Sequence, residues 1–170
     1  MPATSTPSTR LVTLRLGARY APFVDTALLA AIETDRWQRD IGATAGAAGL
    51  QETYRSTRLV AGAQRQWQFA PVRLTLDAAA VLSSPERLRV GFSGVLDDAA
   101  FDTRRGHGIR LGAAFHPTSA GRFELRTGFD WIRHGRSADA PLTANGRFAG
   151  TVAQPEHERR AFSLTLAAVF

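Results

Sequence analysis

Few side chains in this chain could do chemistry. The histidines are His107, His116, His134 and His157, and there is no cysteine. Without Cys there is no thiol nucleophile and no disulfide. No HExxH or CxxC spacing is present, so no metal-ligand signature can be read along the chain, and no Ser sits in a GxSxG elbow. The best acid–base candidate is Asp130 with His134. In a strand, residues four apart share a face, and Glu124 and Arg126 lie deeper on that face. No Ser shares that face of the strand, so the group fits interior packing better than catalysis. His107 sits in a Gly-rich loop and His157 beside acidic residues, both ordinary solvated settings. No catalytic residue, metal ligand or cofactor-binding residue is assigned, no cofactor is expected, and the chain is not expected to be an enzyme.

The elements that would carry these residues show a period of two. Val12, Leu14, Leu16, Ala18 and Tyr20 oppose Thr13, Arg15, Gly17 and Arg19. Leu59, Ala61, Ala63, Trp67 and Phe69 oppose Gly62, Gln64, Gln66 and Gln68. Val72 to Ala80, Leu88 to Gly94, Ile109 to His116 and Phe123 to Trp131 alternate in the same way. Alternation of this kind sorts side chains onto the two faces of a strand. Val24–Asp35 is assigned to a strand, residues 36–56 stay open, and Ile41–Leu50 is a possible further strand. Residues 1–9, rich in Ser, Thr and Pro, form a flexible segment ahead of a β-domain over 10–170. Hairpin connections imply an antiparallel up-and-down arrangement of about eight strands.

The chain of 170 residues suffices for one domain; net charge is +6, hydrophobic content 44 % and charged content 21 %. No window approaches 18 consecutive apolar residues, so a membrane protein of this sequence must be a barrel. Arginine supplies all 21 of the Lys/Arg side chains, but no basic run interleaves with exposed aromatics, so no nucleic-acid partner is expected.

The last stretch, Arg160 to Phe170, has Phe162, Leu164, Leu166, Ala168 and Phe170 at alternate positions, and the sequence stops on the aromatic. It resembles the C-terminal assembly signal of Gram-negative outer-membrane β-barrels. The resemblance implies a transmembrane β-barrel, residence in the outer membrane, and contact with the lipid bilayer and the outer-membrane assembly machinery. Residues 1–9 do not read as a signal peptide. Such a protein needs one, so either it is removed or the chain is the C-terminal part of a larger barrel.

Three features favour a polar face turned inward, the inverse of a soluble barrel. The polar face is rich in Gly. It carries both signs of charge: Arg15, Arg19, Arg73, Arg89, Arg110 and Arg126 against Asp77, Glu124 and Asp130. A narrow lumen requires such pairing. Connection lengths also alternate, with 83–86 and 117–121 short, and 97–107 and 136–156 long. On eight strands, Trp67, Phe69, Trp131 and Phe162 lie near the external boundary and Phe115, Phe123 and Phe170 near the periplasmic one, as two aromatic girdles. The expected function is a membrane anchor or pore displaying external loops. Alternatives are the translocator barrel of a longer secretion or polysaccharide-export protein, with a passenger or export partner, a barrel enzyme acting on lipid or peptide, and a soluble β-barrel binding protein.

Overall fold

The computed structural model describes residues 8–43, 49–117 and 123–168. Among the described residues eleven strands form: β1 (Ser8–Phe23), β2 (Thr26–Ile41), β3 (Leu50–Phe69), β4 (Val72–Ser83), β5 (Arg87–Gly91), β6 (Ala99–Asp102), β7 (Gly106–Pro117), β8 (Phe123–His134), β9 (Ala140–Ala144), β10 (Arg147–Val152) and β11 (His157–Ala168). The main path is β1-β2-β3-β4-β7-β8-β11, every pairing antiparallel. These seven strands make a strongly curled half-barrel that is not closed: β1 and β11 each have one neighbour among the described residues. The uniform alternation explains the meander. The connections 24–25 and 70–71 are tight hairpins, and the long connections 84–105 and 135–156 also return to the adjacent strand of the path.

Leu88–Gly94 was expected to be a spanning strand. Instead β4 pairs directly with β7, from Val72↔Pro117 to Ser83↔Gly106. β5 covers only Arg87–Gly91, pairs with Gln51–Arg55 at the far end of β3, and forms a flap with β6. The path therefore has seven strands rather than about eight. Five residues are too few to cross beside twelve-residue neighbours, and Leu88 and Val90 are buried by packing on Tyr54, with Trp37, Leu50, Phe92 and Phe101 around them.

Removing β5 from the path inverts every element before it. The connections 42–49, 84–105 and 135–156 now share one end, and 24–25, 70–71 and 118–122 share the other. The 83–86 stretch is thus the start of a long connection. Trp67 and Phe69 move to the short-turn end, in one rim with Tyr20, Phe23, Phe115 and Phe123. Trp131 stays near the long-loop end. β2 also runs on to Ile41 and β3 starts at Leu50, so the region left open is mostly one long hairpin. The possible Ile41–Leu50 strand does not form where it is described: Ile41 pairs with Leu50 across the hairpin and Gly42, Ala43 and Gly49 carry no strand, while 44–48, Phe170 and most of the expected flexible segment lie outside the described residues; β1 already begins at Ser8.

Candidate functional site

The two faces of the sheet are inverted relative to a water-soluble fold. On the convex face, Leu14 is 75 % exposed, Leu164 73 % and Phe162 85 %. On the concave face, Glu33 and Asp35 are 2 % exposed and Arg58 3 %. Along β3 the apolar convex stretch runs from Leu59 to Phe69. Ten steps of about 3.3 Å give about 33 Å of strand, or about 25 Å of height at a tilt of roughly 40°. Thr34 and Thr57, paired across β2 and β3, and Arg36 with Arg55 beyond them, close this band at the long-loop end. Arg65 interrupts it beside the other rim, where its guanidinium lies 5.5 Å over the Trp67 ring.

The concave face is organised by one register row that crosses all seven strands: Arg15, Glu33, Arg58, Ser83, Gly106, His134 and His157. The half directed toward β1 is a layer of ion pairs. Arg110 reaches across from β7 and holds Glu33 in a two-point contact, Nη1 to Oε1 at 2.6 Å and Nη2 to Oε2 at 3.0 Å, while its Nη2 also donates to Asp130 Oδ2 at 2.5 Å. Arg58 pairs with Asp35 and lies 3.7 Å from Glu33 and 3.6 Å from Asp130. Arg159 of β11 donates to Asp35 Oδ2 at 2.8 Å, and Thr13 of β1 donates to Oδ1 at 2.8 Å. Strands far apart along the sheet are thereby tied across the concave space. Two-point guanidinium–carboxylate contacts fix geometry as well as charge. Ala31, Val60, Val81 and Ile132 form a small apolar cluster beside this layer.

The expected lumen residues divide into three groups. Arg15, Arg110 and Asp130 belong to the ion-pair layer. Arg19, Arg73, Asp77, Glu124 and Arg126 are also concave but lie toward the short-turn end: Arg19 contacts Gln64, Arg73 contacts Gln68, Arg126 pairs with Glu124, and Asp77 lies over Gly112 with no ion pair among the described residues. Arg89 departs from the expectation. It pairs with Thr53 on the opposite side of the sheet, because β5 joins the long-end part of β3 rather than the barrel path. The residues at the centre of the layer, Glu33, Asp35, Arg58 and Arg159, were not anticipated. Glu33 and Asp35 lie where the apolar alternation of β2 gives out, and Arg58 and Arg159 lie at the starts of alternating runs.

The other half of the row is a cluster at the long-loop end. His134 Nε2 lies 3.1 Å from Ser83 Oγ, and His157 Nε2 lies 2.9 Å from Glu86 Oε2. The two imidazoles stack at 5.3 Å. A Ser does therefore meet His134, but from β4, two strands away, and no single-strand reading could find it. Gly106 makes the contact possible: a Cβ there would fall 2.6 Å from His134 Cδ2. The cluster borders a cavity of about 440 Å³ also lined by Trp37, Tyr54, Arg39 and Glu52. Glu86, His134 and His157 bring their ligand atoms within 4.8 Å of one another and could hold a metal ion.

The long connections carry order of their own. The long connection expected over 136–156 contains the β9–β10 hairpin, turned at Asn145-Gly146, both at positive φ. Asp97 docks this hairpin. It accepts from Thr143 Oγ1 at 2.6 Å, Gly146 N at 2.9 Å and Asn145 N at 3.2 Å. Those donors, the Thr143 hydroxyl first, hold the Asp97 carboxyl below the usual range.

No protein-family model matches the chain, and a search of curated proteins gives no match either.

Proposed function

We propose that this chain is a membrane-spanning β-barrel component of the Gram-negative outer membrane that anchors and displays its long-end connections. One observation carries the proposal: the buried charges are on the concave face, and most of the exposed leucines and phenylalanines form a band on the convex face. In water such a band of exposed apolar side chains is a liability. Against lipid it is what a barrel requires. The sorting of connections into a long-loop end and a short-turn end supports the same reading, with the long end outward. Placement in the outer membrane, and recognition of β11 by the assembly machinery, rest on the terminal strand and its resemblance.

The ion-pair layer favours an anchor over an open pore, since side chains from β2, β3, β7, β8 and β11 meet across the concave space. Strand direction favours a second reading as well. β1 and β11 both run from the long-loop end to the short-turn end, so they cannot close on each other in antiparallel fashion. Closure into an even, antiparallel barrel takes a further strand of opposite direction between them, as in the C-terminal part of a larger translocator or export barrel.

The test is behaviour in bilayers. Single-tryptophan versions retaining Trp67 or Trp131 are expected to be quenched by lipids brominated near the headgroup, and one retaining Trp37, inside the long-loop end, is expected not to be. A steady ion current across a planar bilayer would favour the larger-barrel reading over the anchor. A wild-type chain that is a soluble, folded monomer without detergent would overturn the membrane reading altogether.

A further inference from the structure

We infer that Glu86, His134 and His157 form a binding site for a divalent transition-metal ion of the Zn²⁺ class, which clamps the roots of the two longest connections together. The three ligands come from separate places in the chain. Glu86 opens the 84–105 connection, while His134 and His157 flank the 135–156 connection. Their ligand atoms nevertheless converge within 4.8 Å.

The ligand set suits the ion. Two imidazoles and one carboxylate are a three-ligand set that leaves a fourth position free. Metal–ligand distances of about 2.0–2.2 Å put donor atoms about 3.3 Å apart in a tetrahedral arrangement. The His157 Nε2 to Glu86 Oε2 distance, 2.9 Å, is within a few tenths of that. The cavity of about 440 Å³ borders all three residues and gives the fourth position an approach.

The outer contacts are also those of a metal site. A ligating imidazole usually directs its other nitrogen to an acceptor, which fixes the tautomer and the ring orientation. His157 Nδ1 lies 3.3 Å from the Pro155 carbonyl oxygen. His134 Nε2 lies 3.1 Å from Ser83 Oγ, which leaves Nδ1 to coordinate. Glu86 is pinned through its backbone: its N–H donates to Thr103 Oγ1 at 2.8 Å and its carbonyl accepts from Thr103 N at 2.9 Å. Both Glu86 and His134 are buried, and the nearby Arg159 is engaged by Asp35, so its charge is already countered. A His157–Glu86 ion pair alone would explain neither the second imidazole stacked beside it nor the oriented hydroxyl behind that ring. The site stands whether or not the convex face meets lipid.

The test uses the full chain, refolded in detergent without a polyhistidine tag, and titrated calorimetrically with Zn²⁺ alone at neutral pH. One Zn²⁺ per chain is expected. Ser83→Ala is expected to weaken binding by roughly 10–100-fold, since it removes the acceptor that orients His134. His157→Gln and Glu86→Gln are expected to abolish binding, and His107→Gln to leave it unchanged. Co²⁺ on the wild-type chain should give the intense visible bands of a four-coordinate ion. Protease cleavage within 84–105 and 135–156 should slow when Zn²⁺ is bound. Absence of binding in the wild type, equal binding by His157→Gln, or the weak spectrum of six-coordinate Co²⁺ would each overturn the proposal. The Co²⁺ spectrum decides the matter even if a variant fails to fold.

Discussion

Asp35→Asn isolates the contribution of the ion-pair layer. Asp35 accepts from Thr13 at 2.8 Å, from Arg159 at 2.8 Å and from Arg58, and is almost fully buried. The amide keeps the side-chain shape but removes the charge, leaving two guanidinium groups against a neutral oxygen. Arg58 would then retain only Glu33 at 3.7 Å and Asp130 at 3.6 Å, both longer than a hydrogen bond, and its Nε and Nη1 already lack hydrogen-bond partners. Leaving a buried charge without its partner costs roughly 3–5 kcal/mol. At a urea slope of about 2 kcal/mol per M, the unfolding midpoint should fall by about 1.5–2.5 M. The assay is urea unfolding of the refolded chain in detergent, followed by tryptophan fluorescence and by heat-modifiable migration on gels. Asp102→Asn is the control. Its partner Arg87 and Asp102 itself are both more than half exposed, and such a pair is worth roughly 0–1 kcal/mol. A further arm replaces both members of the buried pair, as Asp35→Leu with Arg58→Met, and should cost less than removing Asp35 alone, since the buried Arg58 charge is then gone and only the partly exposed Arg159 loses its partner. Equal midpoints for Asp35→Asn and Asp102→Asn would refute the idea that these cross-sheet contacts hold the curled sheet together.

Two other expectations probe the convex face and the long-loop end. Leu76→Arg, near the middle of the convex band, should cost roughly 2–4 kcal/mol in a bilayer, whereas Thr75→Arg, which points to the concave side, should act only through crowding. Unfolding free energies of both variants in lipid vesicles check this, and a smaller loss for Leu76→Arg than for Thr75→Arg would contradict the assigned faces. For Asp97, the folded carboxyl sits below its ordinary value, so its contribution is fully present above the unfolded value of about 3.9 and is lost as pH falls through the lower folded one. Hydrogen-exchange protection of β9 and β10 should therefore be level from pH 7 to about 5, fall below about 4, and be reduced at neutral pH by Asp97→Asn; a decline starting near pH 6 would mean that other groups dock the hairpin.

Much of the architecture was legible because period two is a strong signal wherever one face is apolar. The spans 10–20, 57–69, 72–80, 109–116 and 123–131 all fall inside observed strands. Errors arose where local pattern does not determine partner. Leu88, Val90 and Phe92 alternate like a spanning strand, yet pair with an overhang of β3, and length was the overlooked cue. That one misplacement reversed the end assigned to Trp67 and Phe69. On eight strands it also put the open stretch 36–56 at the short-turn end, whereas the 42–49 connection lies at the long-loop end. The Asn145-Gly146 turn was legible in principle, since Asn-Gly between alternating residues is the strongest short-range hairpin signal. The Ser83–His134 and Glu86–His157 contacts were not, because they depend on which strands become neighbours.

Glycine was the least specific clue in the sequence and has the clearest role in the structure. Around a curled sheet the concave side chains crowd as the radius shrinks, so a large side chain must lie sideways across its neighbour rather than upright. Gly106 gives His134 that space and lets it reach Ser83 two strands away. Gly112 lies under the Asp77 carboxylate, and Gly128 under Ser163, whose Oγ would be 2.6 Å from a Cβ at that position. Gly106, Gly112 and Gly128 share rows with His134, Asp77 and Ser163. A solvated face would gain nothing from this pairing of a glycine with a polar side chain in the next strand, because exposed side chains can lean outward into water. On a concave face it decides which polar groups meet. The convex side shows the reverse: no glycine shares a row on that face with Leu14, Leu16, Leu59, Leu164 or Phe162, and each of these side chains is more than half exposed, as side chains are where the space outside is open to be filled.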